Sequence, residues 1–221
     1  MLTWSGLGLL ACAVVLVGRW LLRPVDGLRR PKSFPAVSVV LLLVLAAACL
    51  VPVYRHHRLE ARLEAAASAL VGVPVTVHCQ TAGQQFVDAG AELGFVRYGP
   101  DGVPERATLI KRDQCSDLAD YLGSDKSSPS RDQVIAVHVL SHEARHMAGV
   151  TGESVAECGA MQRDARAAEL LGADPEQALR LARLYWKTVY PRMSEGYRSA
   201  DCRPAGPLDE GLLAAPWSPS T

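Results

Sequence analysis

Positions 142 to 146 read HisGluAlaArgHis, two imidazoles four residues apart with a carboxylate directly after the first. On a helix, residues four apart share a face, so His142 and His146 can offer ring nitrogens to one divalent cation. Glu143, one position on, leans towards a water held by that cation. Zn2+ lowers the pKa of such a water towards 7, and a neighbouring carboxylate can take its proton and pass it to a leaving amine. By chance the pattern would occur in about one chain in a hundred of this size. Its surroundings argue further for a metal. Val134, Ile135, Val137, His138, Val139 and Met147 make the segment apolar, and part-buried imidazoles with no cation would be costly to desolvate.

A third protein ligand is expected nearby. Gly149 and Gly152 end the helix, and GlyGluSerValAlaGluCys opens another that carries Glu153 and Glu157, again four apart. Glu153 pairs naturally with His146, and Glu157 with His142. One carboxylate would complete a His, His, Glu set with a coordination position left open for water, and the other would hold the second nitrogen of a histidine. A very tight helical hairpin would bring Glu157, rather than Glu153, level with the metal.

HisGluAlaArgHis followed by GluSerValAlaGlu resembles the zincin superfamily of metallopeptidases, in the group whose third ligand is a glutamate on the next helix. This likeness covers residues 132 to about 165. More broadly, Cys79 to Cys202 is similar to small bacterial membrane-anchored metallopeptidases, through HisGluAlaxxHisxxGlyVal, GluxxAlaGluCys and TyrArgSerAlaAspCys. The resemblance implies peptide-bond hydrolysis, with Zn2+ held by His142, His146 and Glu153, Glu143 as catalytic base, and Glu157 as an outer partner or alternative ligand. The gap from His146 to Glu153 is shorter than is usual in the glutamate group. Gly149 matches the turn glycine of the histidine group. Zincins also present an edge strand to which an extended peptide adds, and AlaThrLeuIleLys at 107 to 111 is the candidate. Tyr190, Tyr197 and Arg198 are candidate donors to a developing oxyanion. His78 and His138 read as structural, and His56 with His57 as a solvated flank.

The elements that must position these groups follow from periodicity and punctuation. ValProValThrValHisCys at 73 to 79 alternates as a strand, and residues 94 to 98 and 107 to 111 read as a hairpin around GlyProAspGlyValPro. A short helix is expected from Cys115 to Leu122. Ser130 or Asp132 can cap the motif helix, Asp132 to Ala148. Two more helices are expected, Glu153 to Leu171 and Asp174 to Tyr190, the latter opened by Pro175 and closed by Pro191. From Arg203 the prolines and glycines predict an irregular or disordered tail. These assignments predict an α+β domain at 73–203: a short β-sheet, an active-site helix and a helical C-terminal half. A helical stalk at 55–72 precedes it and a tail at 204–221 follows.

Charge is unevenly distributed. The 221 residues carry 23 basic and 23 acidic side chains, a balance with no footprint for nucleic acid. Met1 to Gly18 and Ser33 to Tyr54 contain no charged side chain, and a bilayer needs roughly 20 apolar residues. Residues 1–54 therefore read as two transmembrane helices, with a signal anchor or cleaved signal peptide as the alternative for the first run. Arg19, Arg23, Arg29, Arg30 and Lys32 in the connection place it in the cytoplasm and the remainder outside. That remainder holds 18 basic and 22 acidic side chains.

Cys79, Cys115, Cys158 and Cys202 suit two disulfides in an oxidising compartment. Three connectivities are possible, and Cys79 with Cys115 and Cys158 with Cys202 is favoured because each pair closes one half of the domain. The expected partners are a peptide or protein substrate and membrane lipid through two spans, with oligomeric state open. The overall expectation is a membrane-anchored zinc metallopeptidase. Its rivals are a zinc-binding but inactive extracytoplasmic interaction domain, and a structural membrane protein with a chance motif.

Overall fold

The computed structural model describes residues 2–22, 33–87, 90 and 92–218. The basic connection at 23–32 lies outside them. The chain divides into two compact units, Met1–Arg58 and Leu59–Thr221.

The first unit contains α1 (Leu2–Leu22) and the start of α2 (Ala36–Val71). Both helices are long and apolar enough to cross a membrane. Their large apolar side chains are widely exposed, Val37 by 83% and Val14 by 70%, an arrangement suited to hydrocarbon rather than water. Gly6 allows the helices to touch, because a Cβ there would fall 2.6 Å from Leu50 Cγ.

In the second unit the end of α2 is part of the core. Leu63, Ala66 and Ala67 are buried there, so the later part of the stretch expected as a helical stalk packs into the domain. Its helix-forming residues signalled the helix, but its alanines also make a small, close-packing face. Gly72, at φ +84°, ends the helix. Glu60 then accepts a hydrogen bond from the Cys79 amide at 2.9 Å, and Ser68 Oγ one from the Val75 amide at 3.1 Å. These bonds fix β1 (Thr76–Cys79) against the helix.

A six-residue helix, α3 (Ala82–Val87), precedes β2 (Gly94–Tyr98) and β3 (Pro104–Ile110). The sheet order is β1-β3-β2, with β1 parallel and β2 antiparallel to β3. This corrects the expectation for residues 107 to 111. They are central, paired on both sides, and β2 is the edge strand beside the site. Alternation marks a strand and its buried face but carries no information on which neighbours pair with it.

Helix α4 (Arg112–Gly123) leads to α5 (Arg131–Met147), the motif helix, which is buried over most of its length. Ser130 starts it with a capping box: its Oγ accepts from the Gln133 amide at 3.1 Å, and the Gln133 side chain accepts from the Ser130 amide at 2.9 Å. The helix expected at 153 to 171 is divided into α6 (Glu153–Met161) and α7 (Asp164–Leu170). The last helix runs as α8 (Pro175–Leu184), then a π-helical turn at Tyr185–Val189 and a 3-10 turn at Tyr190–Arg192. Pro191 cannot donate to the carbonyl four residues back, which favours a change of register there. Buried alanines, among them Ala156, Ala160, Ala167, Ala168 and Ala182, let these helices approach closely.

The disulfides are Cys79–Cys115 and Cys158–Cys202, the favoured pairing, and Cys12 and Cys49 are free. The tail is irregular but anchored. Gln162 donates to Leu208 O at 2.9 Å and accepts from the Glu210 amide at 2.8 Å, and Trp217 meets Trp186 edge to face.

Candidate metal centre

The site begins with one stripe of α5. His138, His142 and His146 succeed each other by one turn on its buried side. Gly149, at φ +100°, reverses the chain after the last of them, with its amide on His146 O and the Val150 amide on Arg145 O. The tight turn starts α6 at Glu153, so Glu153 and Glu157 point back at the histidine stripe.

His142 Nε2 lies 3.0 Å from His146 Nε2 and 3.2 Å from Glu153 Oε2, and His146 Nε2 lies 3.4 Å from that same oxygen. The opposite ring nitrogens decide what these contacts are. His146 Nδ1 is 2.7 Å from Val150 O, and a carbonyl only accepts, so this nitrogen carries the hydrogen. His142 Nδ1 is 3.0 Å from Glu157 Oε2. Burial opposes charge on Glu157, yet His138 and His142 hold its carboxyl far below the usual range, so it too accepts. In the neutral rings both Nε2 atoms then carry lone pairs, and they converge with a carboxylate oxygen at spacings close to the about 3.3 Å expected between ligands of a tetrahedral ion with bonds of 2.0–2.1 Å. Three such acceptors form a group that could hold a cation. Without a metal they recruit a proton: burial opposes it, but bonds to Glu153 and Glu157 raise His142 to about 9.

Among the described residues, two sets of side chains are grouped closely enough to hold a metal: His142, His146 and Glu153, and the buried His138, His142 and Glu157. The second set differs chemically. His138 Nδ1 is 2.9 Å from Asp164 Oδ2, and its Nε2 is 3.0 Å from Glu157 Oε2. Burial disfavours an imidazolium there, but Asp164 and then Glu157 outweigh it and raise His138 to about 10. Each of its contacts therefore pairs a donor with an acceptor. Tyr185 stacks on the ring at 3.6 Å and donates to Glu157 Oε1 at 2.6 Å.

Glu143 is buried on the other side of His142. Its Oε2 lies 3.4 Å from Thr108 Oγ1, a hydroxyl that is also 3.0 Å from Phe95 O. Burial pushes its carboxyl up to about 7, with His142 opposing and Glu153 adding to the rise. A cavity of about 320 Å3 opens beside these groups, with Leu93, Phe95, Ile135, Val139 and Met193 among its walls.

The structure thus brings His142, Glu143, His146, Glu153 and Glu157 together. Of the candidate donors, Tyr197 lines the cavity, its ring 5.8 Å from His142; Tyr98, which was not among them, reaches it from β2. Tyr190 does not line it, and its hydroxyl bonds the Ser199 main chain. Arg198 lines a separate groove. His78 is exposed, 3.8 Å from Glu60. Asp164, Tyr185, Thr108 and Gly94 were not singled out by sequence. His138, one turn before His142, and Asp164, seven residues after Glu157, carried a signal in their spacing, whereas Thr108 and Gly94 reach the site only through sheet packing. No family model, curated protein or solved structure matches the chain.

Proposed function

We propose that this protein is a membrane-anchored zinc metallopeptidase of zincin type, with its disulfide-bonded domain outside the cytoplasm. One observation carries the reading: three converging lone-pair ligands, His142 Nε2, His146 Nε2 and Glu153 Oε2, stand beside a buried carboxylate whose affinity for a proton is tuned to neutrality. A zinc ion bound there would polarise a scissile carbonyl and acidify a water. Glu143 takes the proton of the attacking water and returns it to the leaving amine. Thr108 steadies the ionised carboxylate when its single hydroxyl hydrogen turns from Phe95 O to Glu143 Oε2. Tyr197, whose hydroxyl makes no hydrogen bond among the described residues, donates to the developing oxyanion. Its phenol stays protonated for that purpose, because burial and then Glu153, Glu157 and Glu143 raise its pKa. The edge strand β2 receives the substrate backbone.

Both oxygens of Glu157 are engaged by His138, His142 and Tyr185. This supports an open fourth position and disfavours a closed, inactive zinc site. The test uses the full chain in detergent. Glu143→Gln should keep one equivalent of zinc while chelator-sensitive peptide hydrolysis falls by about 10²- to 10⁴-fold. Hydrolysis at the wild-type rate would overturn the mechanism.

A further inference from the structure

We propose that His138, backed by Asp164 and Tyr185, is a positioning group for the metal: through Glu157 it fixes the His142 ring with Nε2 facing the ion. The inference rests on the reading that His142, His146 and Glu153 hold that ion. An unbroken line of polar contacts runs from Asp164 Oδ2 to His138 Nδ1 at 2.9 Å, from His138 Nε2 to Glu157 Oε2 at 3.0 Å, and from that oxygen to His142 Nδ1 at 3.0 Å. Tyr185 holds the second oxygen of Glu157 at 2.6 Å. Glu157 is therefore constrained by donors from α5 and from the turn after α8, and its orientation sets that of His142.

The two histidine ligands differ in this respect. His146 Nδ1 is held by the main-chain carbonyl of Val150, which the turn at Gly149 fixes without help from any side chain. His142 depends on the side-chain line alone. Packing is a poor explanation for that line. Asp164 is completely buried and its Oδ1 has no hydrogen-bond partner among the described residues. Buried ion pairs cost desolvation, and apolar groups of similar size often replace them without loss of stability. An outer partner that orients a metal-bound imidazole commonly changes metal affinity by 10- to 100-fold.

The test measures zinc affinity by competition with a chromophoric chelator, together with the visible spectrum of the Co2+-loaded protein, on the full chain in detergent. His138→Leu should weaken zinc by about 10- to 100-fold and alter the Co2+ spectrum. His138→Gln, which keeps a donor towards Glu157, should recover most of that affinity. His138→Leu matching wild type in both readouts, or a folded His138→Gln no better than His138→Leu, overturns the proposal. Should His138→Leu fail to fold, Asp164→Asn decides: zinc on the order of 10-fold weaker with a changed spectrum supports it, and wild-type values overturn it. A wild-type chain that binds no zinc overturns the metal reading itself and this inference with it.

Discussion

A carboxylate buried without a full set of donors resists ionisation, and Glu143 is held in that condition. Its carboxyl is raised to about 7 by burial, and a base must be ionised to act. Hydrolysis should therefore rise with pH through a midpoint near or a little below about 7, since a bound cation nearby would favour the ionised form. A pH profile of kcat/KM that is flat from 5 to 8 would contradict this assignment. Gly94 adds a steric condition. A Cβ there would lie 2.9 Å from Glu143 Oε1 and 3.0 Å from its Cγ, so Gly94→Ala must displace the carboxylate. The expected result is a fall in kcat of about 10- to 100-fold with zinc content unchanged. Metal analysis beside the rate assay checks it, because a variant that also loses zinc would place Gly94 in folding rather than catalysis. The motif residues were legible in sequence because helical spacing alone brings them together. Gly94 was not, because its role depends on a strand some fifty positions away in sequence meeting α5.

At the scale of elements, the hairpin of α5 and α6 does most of the positioning. Its start and turn were readable: Ser130 as one of two cap candidates beside Asp132, Gly149 and Gly152 as the break. Ser130→Ala removes the capping box at the end of α5 remote from the metal ligands, and should cost about 1 kcal/mol of stability. Because that turn lies three helical turns before His142, zinc affinity should be unchanged. Denaturant melts with and without zinc would separate the two effects, and a large loss of affinity would mean that fraying propagates along the helix. Strand order was less legible. Residues 107 to 111 and 94 to 98 both alternate, and only the parallel pairing of β1 with β3 puts one in the middle and the other at the edge. The division between α6 and α7 was hidden for a similar reason, since alanine-rich sequence continues through it and neighbouring helices determine where it breaks.

For the molecule as a whole, the two disulfides enclose residues 79 to 115 and 158 to 202. Every proposed metal ligand lies in the stretch between those loops and inside neither. Packing and, on the proposed reading, an ion hold that stretch, and covalent bonds hold what surrounds it. Reduction should cost about 2–5 kcal/mol per bridge, while chelation should act through the centre of the domain. If the two are independent, their effects on stability should add to within about 0.5 kcal/mol. Melting the full chain under chelator, reductant and both would measure this, and a large departure would reveal coupling through α6, where Cys158 directly follows Glu157. On the proposed reading this arrangement would make the ion replaceable: the centre could be emptied and refilled without breaking a covalent bond, so recovery after transient loss of the metal would require no reoxidation and no reshuffling of thiols.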